Sequence, residues 1–232
     1  MFEGPPRPLK KPISEPEARQ AIQRLKNGKA VGPDDLSNEL LKASGQLGAA
    51  FIANAINASF SQHESLGIGE GILAPLPKPG KPKGPLKNLR PLVLLTALRK
   101  TLSLITLQRI RPKVEVYLSA SQAAFRAGRS TSDIVWALRW LAAKAIRYKT
   151  EIHGLGLDMS RAFDTIDRRK LMGVLRDDVG LGQDELRMCQ ALLAETKLRV
   201  RLKDVFSDPF ETTIGSLQGD GLSPIYTLRS LP

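Results

Sequence analysis

Residues 152–171 read IHGLGLDMSRAFDTIDRRKL. A short apolar run ends on Asp158, Asp164 follows six positions later, and Asp167 three after that. The run predicts a buried strand over 152–158 that closes on Asp158. A carboxylate at such a strand end is either a helix cap or a ligand for a hard cation such as Mg²⁺, which prefers oxygen donors. Phe163, in the turn behind it, is either a core plug or a surface beneath a bound sugar, where it would crowd a 2′-hydroxyl. Which pair of readings holds depends on what the rest of the chain places around this turn.

Composition narrows the setting. Of 232 residues, 35 are Lys or Arg and 23 Asp or Glu, a net charge of +12. Such an excess favours a polyanionic partner, nucleic acid or an anionic surface. Much of it is local: between Lys78 and Lys113 stand ten basic residues and no acidic one. A solvated surface usually mixes its signs, so this run predicts a phosphate-facing region. A single cysteine, Cys189, and two histidines exclude a disulfide framework and a Cys/His zinc site. No apolar run approaches the roughly 18–20 residues of a membrane span, and the N-terminus lacks a signal-peptide core. The expected location is intracellular, nucleus or cytoplasm, with no membrane partner.

Along the chain, residues 1–13 are rich in proline and lysine and are expected to be disordered. SEPE at 14–17 is a capping box that opens a helix through Ala18, Ala21, Ile22 and Leu25. Asp34 or Asp35 is expected to cap a second helix near 36–43, and a third runs over about 46–64. A strand at 71–76 and the apolar run LRPLVLL enclose PKPGKPKGPLKN, which predicts an antiparallel hairpin with a long basic tip. A helix at 97–111 is expected to stop at Pro112. A Thr131/Ser132 cap then opens an apolar helix at 133–148. Helices at 167–178 and 183–194 precede KLRVRLKDV, in which Leu198, Val200 and Leu202 alternate with basic residues. That pattern is a half-buried strand with one basic face. Helices alternating with hairpins indicate an α+β fold, an antiparallel sheet with packed helices.

Two further segments bear on chemistry. SLQGDGLSP at 216–224 combines an amide, two glycines and Ser-Pro, a loop whose backbone can approach a ligand closely or else an ordinary turn. In the basic hairpin, Arg90 opens the second strand and Lys83 and Lys87 lie in the tip. An arginine fork suits a triphosphate and flexible lysines follow its charge.

In this order the segments resemble the reverse transcriptase domain of non-LTR retrotransposons. AIQRLKNGKAVGPDDLSNELLK resembles the family's N-terminal block. LRPLVLLTALRKTLSLITLQRI and SQAAFRAGRSTSD are similar to its two fingers motifs, LDMSRAFDTID to motif A of the palm, and LQGDGLSP to motif B. The likeness runs over about residues 14–224.

The resemblance implies a right-hand polymerase fold, with fingers over 14–112 and remaining fingers plus partial palm over 113–232. It implies RNA-directed DNA polymerisation on an RNA template and DNA primer, using deoxynucleoside triphosphates and Mg²⁺, with Mn²⁺ as a substitute. Asp158 would be the catalytic carboxylate and a ligand of both metal ions, joined by the carbonyl of Met159. Arg90, helped by Lys83 or Lys87, would hold the triphosphate. Phe163 and Gln218 would contact the nucleotide sugar, while Gly219 and Arg126 would touch the template. Asp164 and Asp167 would be structural. The family's motif C, a paired-aspartate hairpin, would follow motif B, and eight residues follow Pro224 here. The resemblance therefore implies a fragment that does not polymerise alone. The competing expectation is a non-catalytic nucleic-acid-binding remnant of a retroelement.

Overall fold

The computed structural model describes residues 7–62, 67–82, 84–158, 161–194, 196–223 and 225–226. Three helices open the chain: α1 (Glu15–Arg24), α2 (Asn38–Ala43) and α3 (Gly45–Gln62). Strands β1 (Glu70–Pro77) and β2 (Leu89–Leu95) form the hairpin, and the long helix α4 (Ala97–Tyr117) follows. Then come α5 (Thr131–Tyr148), α6 (Arg168–Asp177), α7 (Gln183–Ala194), β3 (Lys197–Leu202), β4 (Val205–Phe206) and β5 (Phe210–Glu211).

The sheet has the order β2-β1-β3-β4, with β5 also paired to β3. β1 runs antiparallel to β2 but parallel to β3, so the sheet is mixed rather than wholly antiparallel. The chain reaches β3 only after four helices, and a crossover of that length readily delivers a parallel strand. One face of the sheet carries the small cluster Val93, Leu95, Leu198 and Leu217. The larger core lies among α1, α3, α4, α6 and α7, built on Ile56, Leu102, Ile105, Leu175, Met188 and Leu192. Cys189 sits inside it, and burial pushes its thiol up to about 12, which removes it from thiolate chemistry.

Local signals decide most boundaries, with some substitutions of residue. Ser14 caps α1 as expected, accepting from the Glu17 amide, but the Glu17 carboxylate turns instead to Arg109 on α4 at 2.6 and 2.7 Å. Ser37 caps α2, not Asp34 or Asp35. Asp34 reaches across to the first amide of α4, Ala97, at 2.7 Å, beside the Thr96 cap. Ser130 caps α5 in a full capping box with Asp133, one residue before the expected Thr131/Ser132. Helix α4 continues through Pro112 to Tyr117. A proline inside a helix removes one amide donor, and here apolar packing at Ile110 and Val114 on either side of it outweighs that loss.

The expectation of disorder over residues 1–13 is corrected for the described part, 7–13. Leu9 and Ile13 are buried. Arg187 holds the carbonyls of Arg7 and Pro8, Arg109 holds those of Lys11 and Pro12, and the Lys11 amide donates to Asp184. A proline-rich segment has few amides to satisfy, so carbonyl-seeking arginines are enough to anchor it.

Helix α5 stands apart. It contains Ile134, Val135, Trp136, Leu138, Trp140, Leu141 and Ile146, yet none of its residues is buried. A helix that is apolar all round normally lies inside a protein. The segment after it is also exposed: residues 151–158 form no strand, and Leu155 and Leu157 are more than four-fifths accessible. The expected strand over 152–158 is therefore corrected. A strand exists only as a member of a sheet, and among the described residues none pairs with it.

Both tryptophans of the chain lie on α5, at 68% and 50% exposure. Intrinsic fluorescence of the dilute protein is therefore expected to be red-shifted and readily quenched by iodide. A blue-shifted, iodide-resistant emission under dilute conditions would show that α5 is covered.

Candidate nucleotide and template site

The turn that follows Asp158 is built by local hydrogen bonds. The Asp164 and Thr165 amides donate to the Arg161 carbonyl, with Arg161 in the left-handed region at φ 54. Asp167 then caps α6, accepting from the Arg169 and Lys170 amides. Those amides hold its carboxyl below the usual range, Lys170 contributing most. This is the structural role expected of it.

The 214–220 loop lies directly against this turn. The Gly215 amide donates to Ile166 O and the Ser216 amide to Phe163 O, each at 2.8 Å. Gln218 Nε2 donates to Asp164 Oδ1 at 3.3 Å. On its other side the loop docks on the sheet edge, where the Val93 amide donates to Gln218 O at 2.9 Å. Gly215 and Gly219 make this packing feasible. Gly215 has φ 77, and a Cβ there would stand 2.8 Å from Asp164 O. Gly219 has φ 121, and its Cβ would stand 2.6 Å from Val93 O. Larger residues would force the loop off both supports. A cavity of about 370 Å³ opens here, lined by Asp164, Val93, Pro91, Leu73, Phe210 and Gln218.

The structure thus brings together the half-buried Phe163, Gln218, Gly219 and strand β2, on which Arg90 is exposed opposite Leu76. Lys87 is exposed in a short 3₁₀ turn over Leu86–Asn88, its carbonyl held by Lys78 Nζ at 2.8 Å. Lys83 and Met159 lie outside the described residues. Asp158 is exposed at the end of the unpaired segment. Among the described residues no three His, Cys, Asp or Glu side chains come together. An octahedral Mg²⁺ ion takes six oxygen donors, several of them from carboxylates, waters or substrate. Asp158 offers one carboxylate, so the residues described do not by themselves constitute a Mg²⁺ centre.

Arg126 lies on the connection between α4 and α5. Its Nε pairs with Glu115 at 2.9 Å and its Nη1 holds the carbonyls of Ser119 and Gln122. These contacts organise the 118–130 connection.

Two arginines carry more of the site than sequence reading indicated. Arg99, almost fully buried, donates to Asp220 Oδ2 at 3.1 Å, to Ile68 O at 3.0 Å and to Leu192 O. Asp220 in turn accepts from the Leu222 amide. Arg168 donates to the carbonyls of Gly215, Leu193 and Thr212 at 2.7–2.9 Å and to the Thr196 and Thr212 hydroxyls. Burial first, and then the neighbouring Arg99 charge, lower the Arg168 pKa from its ordinary value. In sequence, Arg99 stood among ten basic residues and looked phosphate-facing. The signal that could have separated it was its place one turn before Leu102, on the buried side of α4.

The sequence profile described as "Reverse transcriptase (RNA-dependent DNA polymerase)" matches residues 76–231. The chain belongs to that family. Among its relatives, a probable RNA-directed DNA polymerase from transposon X-element of Drosophila melanogaster is 27% identical over 223 residues, covering 94% of this chain and 24% of the relative. A second Drosophila melanogaster relative, a probable RNA-directed DNA polymerase from transposon BS, is 26% identical, covering 93% and 24%. The transposon TX1 uncharacterized 149 kDa protein of Xenopus laevis is 26% identical, covering 97% and 17%. The chain spans between a sixth and a quarter of the length of these relatives. Among the described residues no helix is long and apolar enough to cross a membrane.

Removing one partner of a buried ion pair typically costs about 3–5 kcal/mol, because the other charge is left unmatched. Asp220→Ala is therefore expected to lower stability by roughly that amount in urea unfolding. A loss under about 1 kcal/mol, the range of an exposed pair, would contradict the role assigned to Arg99–Asp220.

Proposed function

We propose that this chain is the nucleotide-gripping part of a non-LTR retrotransposon reverse transcriptase: the fingers over 14–112, and remaining fingers with part of the palm over 113–232. The observation that carries the reading is the packing of the 161–166 turn against the 214–220 loop and strand β2. It brings Phe163 and Gln218 to the edge of β2, the strand that carries Arg90. Family membership supports the same reaction class, transfer of a nucleotidyl group.

In this reading the primer 3′-hydroxyl attacks the α-phosphate of a deoxynucleoside triphosphate, the new phosphodiester bond forms, and pyrophosphate leaves. Arg90 is exposed and free to fork onto the triphosphate, with Lys87 and Lys83 adding diffuse charge. Phe163 lies beneath the sugar and leaves no room for a 2′-hydroxyl. Gln218 hydrogen-bonds the sugar, and the bare backbone at Gly219 lets the template approach. Mg²⁺, or Mn²⁺ in its place, is the cofactor of this chemistry. Asp158 would be one donor to it, with the Met159 carbonyl beside it. The RNA template and DNA primer are the expected partners.

One observation favours a second reading for the 232-residue chain by itself, that of a binding protein without catalysis. Asp158 stands on an unpaired, exposed segment, and among the described residues no three metal-ligating side chains come together. Both readings are tested together with a labelled RNA–DNA template-primer and the four deoxynucleotides. The chain is expected to bind the duplex with steep salt dependence, to bind it more tightly with the matched deoxynucleotide, and to lose that gain in Arg90→Ala. It is expected to add no nucleotide in Mg²⁺ or Mn²⁺. Failure to bind would overturn the polymerase reading. Templated extension would overturn the view that Asp158 needs further carboxylates.

A further inference from the structure

We propose that the sheet face bearing Lys197, Arg199 and Arg201, together with Phe206, is a track for a single-stranded nucleic acid. It is the sheet face opposite the one that lines the cavity above, and it would hold nucleic acid outside that cavity. The proposal rests on the polymerase reading and adds to it a surface that none of the family's motifs identifies.

The argument begins with how the fold sorts its cations. Arg99, Arg109, Arg126, Arg168 and Arg187 all point inward to carbonyls or carboxylates. Three of them are matched by carboxylates, so these five leave most of the basic excess to other residues. The arginines of β3 do the opposite. Leu198 is 2% exposed in the small cluster on one face, so Lys197, Arg199 and Arg201 share the other, where all three are exposed. Successive members stand about 6.7 Å apart along the strand.

Register extends this face. Arg199 is opposite Ile72 on β1 and Arg201 opposite Phe206 on β4. Arg90 on β2 is opposite Leu76 on β1, four residues along from Ile72, so its side chain shares the same face two strands away, about 10 Å across. The acidic residues near this face are few. Glu70 is opposite Lys197, and Glu211 reaches Lys197 only at 3.8 Å with both side chains open to solvent. Asp204 lies in the β3–β4 turn and Asp208 just beyond β4. Among the described residues, no carboxylate pairs with Arg199 or Arg201. Arg201 donates to the Lys203 carbonyl and lies over the Phe206 ring at 5.9 Å.

Phe206 decides the kind of polyanion. It is 47% exposed at the end of the cationic row. Regularly spaced cations beside an accessible aromatic suit an extended strand whose unstacked bases can lie on the ring. A duplex hides those base faces, and a lipid surface would not require this spacing.

The test is fluorescence anisotropy of the full 232-residue chain with a labelled oligouridine across a salt series. The variant carries Lys197→Ala, Arg199→Ala and Arg201→Ala. A control carries Lys10→Ala, Lys26→Ala and Lys29→Ala, exposed cations away from this face. Thermal melts establish that both are folded. Each lost phosphate contact on a single strand flattens the log–log salt slope by about 0.7, so the β3 variant is expected to be shallower by about 2. The control is expected to keep the parent slope. Phe206→Ala is expected to weaken binding roughly fivefold or more at every salt concentration with the slope unchanged. Arg199→Lys is expected to retain the slope. Equal slopes for the β3 variant and the control overturn the track alone. Absence of oligouridine binding by the parent chain overturns the track and the polymerase reading together. Loss of binding to phosphatidylserine vesicles with oligouridine binding intact assigns the face to lipid and overturns the proposal.

Discussion

The guanidinium of Arg99 sits where four distant parts of the chain meet. It binds Ile68 before β1, Leu192 at the end of α7 and Asp220 in the glycine loop, while its own backbone amide closes the Thr96 cap of α4. A buried charge is costly unless its hydrogen bonds are filled, and here each partner comes from a separate element. The consequence is positional. The Asp220 end of the 214–220 loop is tied to α4. Its Gly215 end is tied to Arg168, and its middle to Val93 on β2. The loop therefore has little freedom, and Gln218 and Gly219 stand where these anchors put them. Ser216 and Ser223 close the loop on itself through their hydroxyls.

Helix α5 and residues 151–158 are the counterpart of that order. They contain some of the most apolar sequence in the chain, and the structure leaves them in solvent. Burying that surface would remove a large apolar area from water. Asp158 belongs to this part of the molecule, whereas Phe163, Gln218 and Arg90 belong to the anchored part. The proposed nucleotide grip and the proposed metal donor thus rest on elements with very different numbers of tertiary anchors.

Much of this fold was legible from local chemistry. Periodicity located the helices, alternation located β3 with its basic face, and proline, glycine and lysine marked the hairpin tip. Asp167 read correctly as a cap because capping is decided within four residues. The failures share a cause. A strand over 152–158 looked secure from composition, but pairing depends on a neighbour that sequence pattern does not provide. The parallel join of β1 to β3 is equally non-local. Arg99 and Arg109 looked like part of a phosphate surface because a charge count cannot distinguish an arginine that points inward from one that points outward. Asp34 was taken for a cap of the next helix, while the fold uses it on a helix 63 residues away. For the candidate site, motif resemblance located the turn and the loop. Only the folded structure supplied the three hydrogen bonds that join them.

The central claim is that Arg99 positions the glycine loop against the turn and the sheet edge. Hydrogen exchange measured residue by residue in Arg99→Met tests it most directly. The account predicts that the amides of Val93, Gly215 and Ser216, which bond across this junction, lose protection together while those of α1 and α3 keep theirs. Unchanged protection at Val93 and Ser216 in a folded Arg99→Met protein would contradict it.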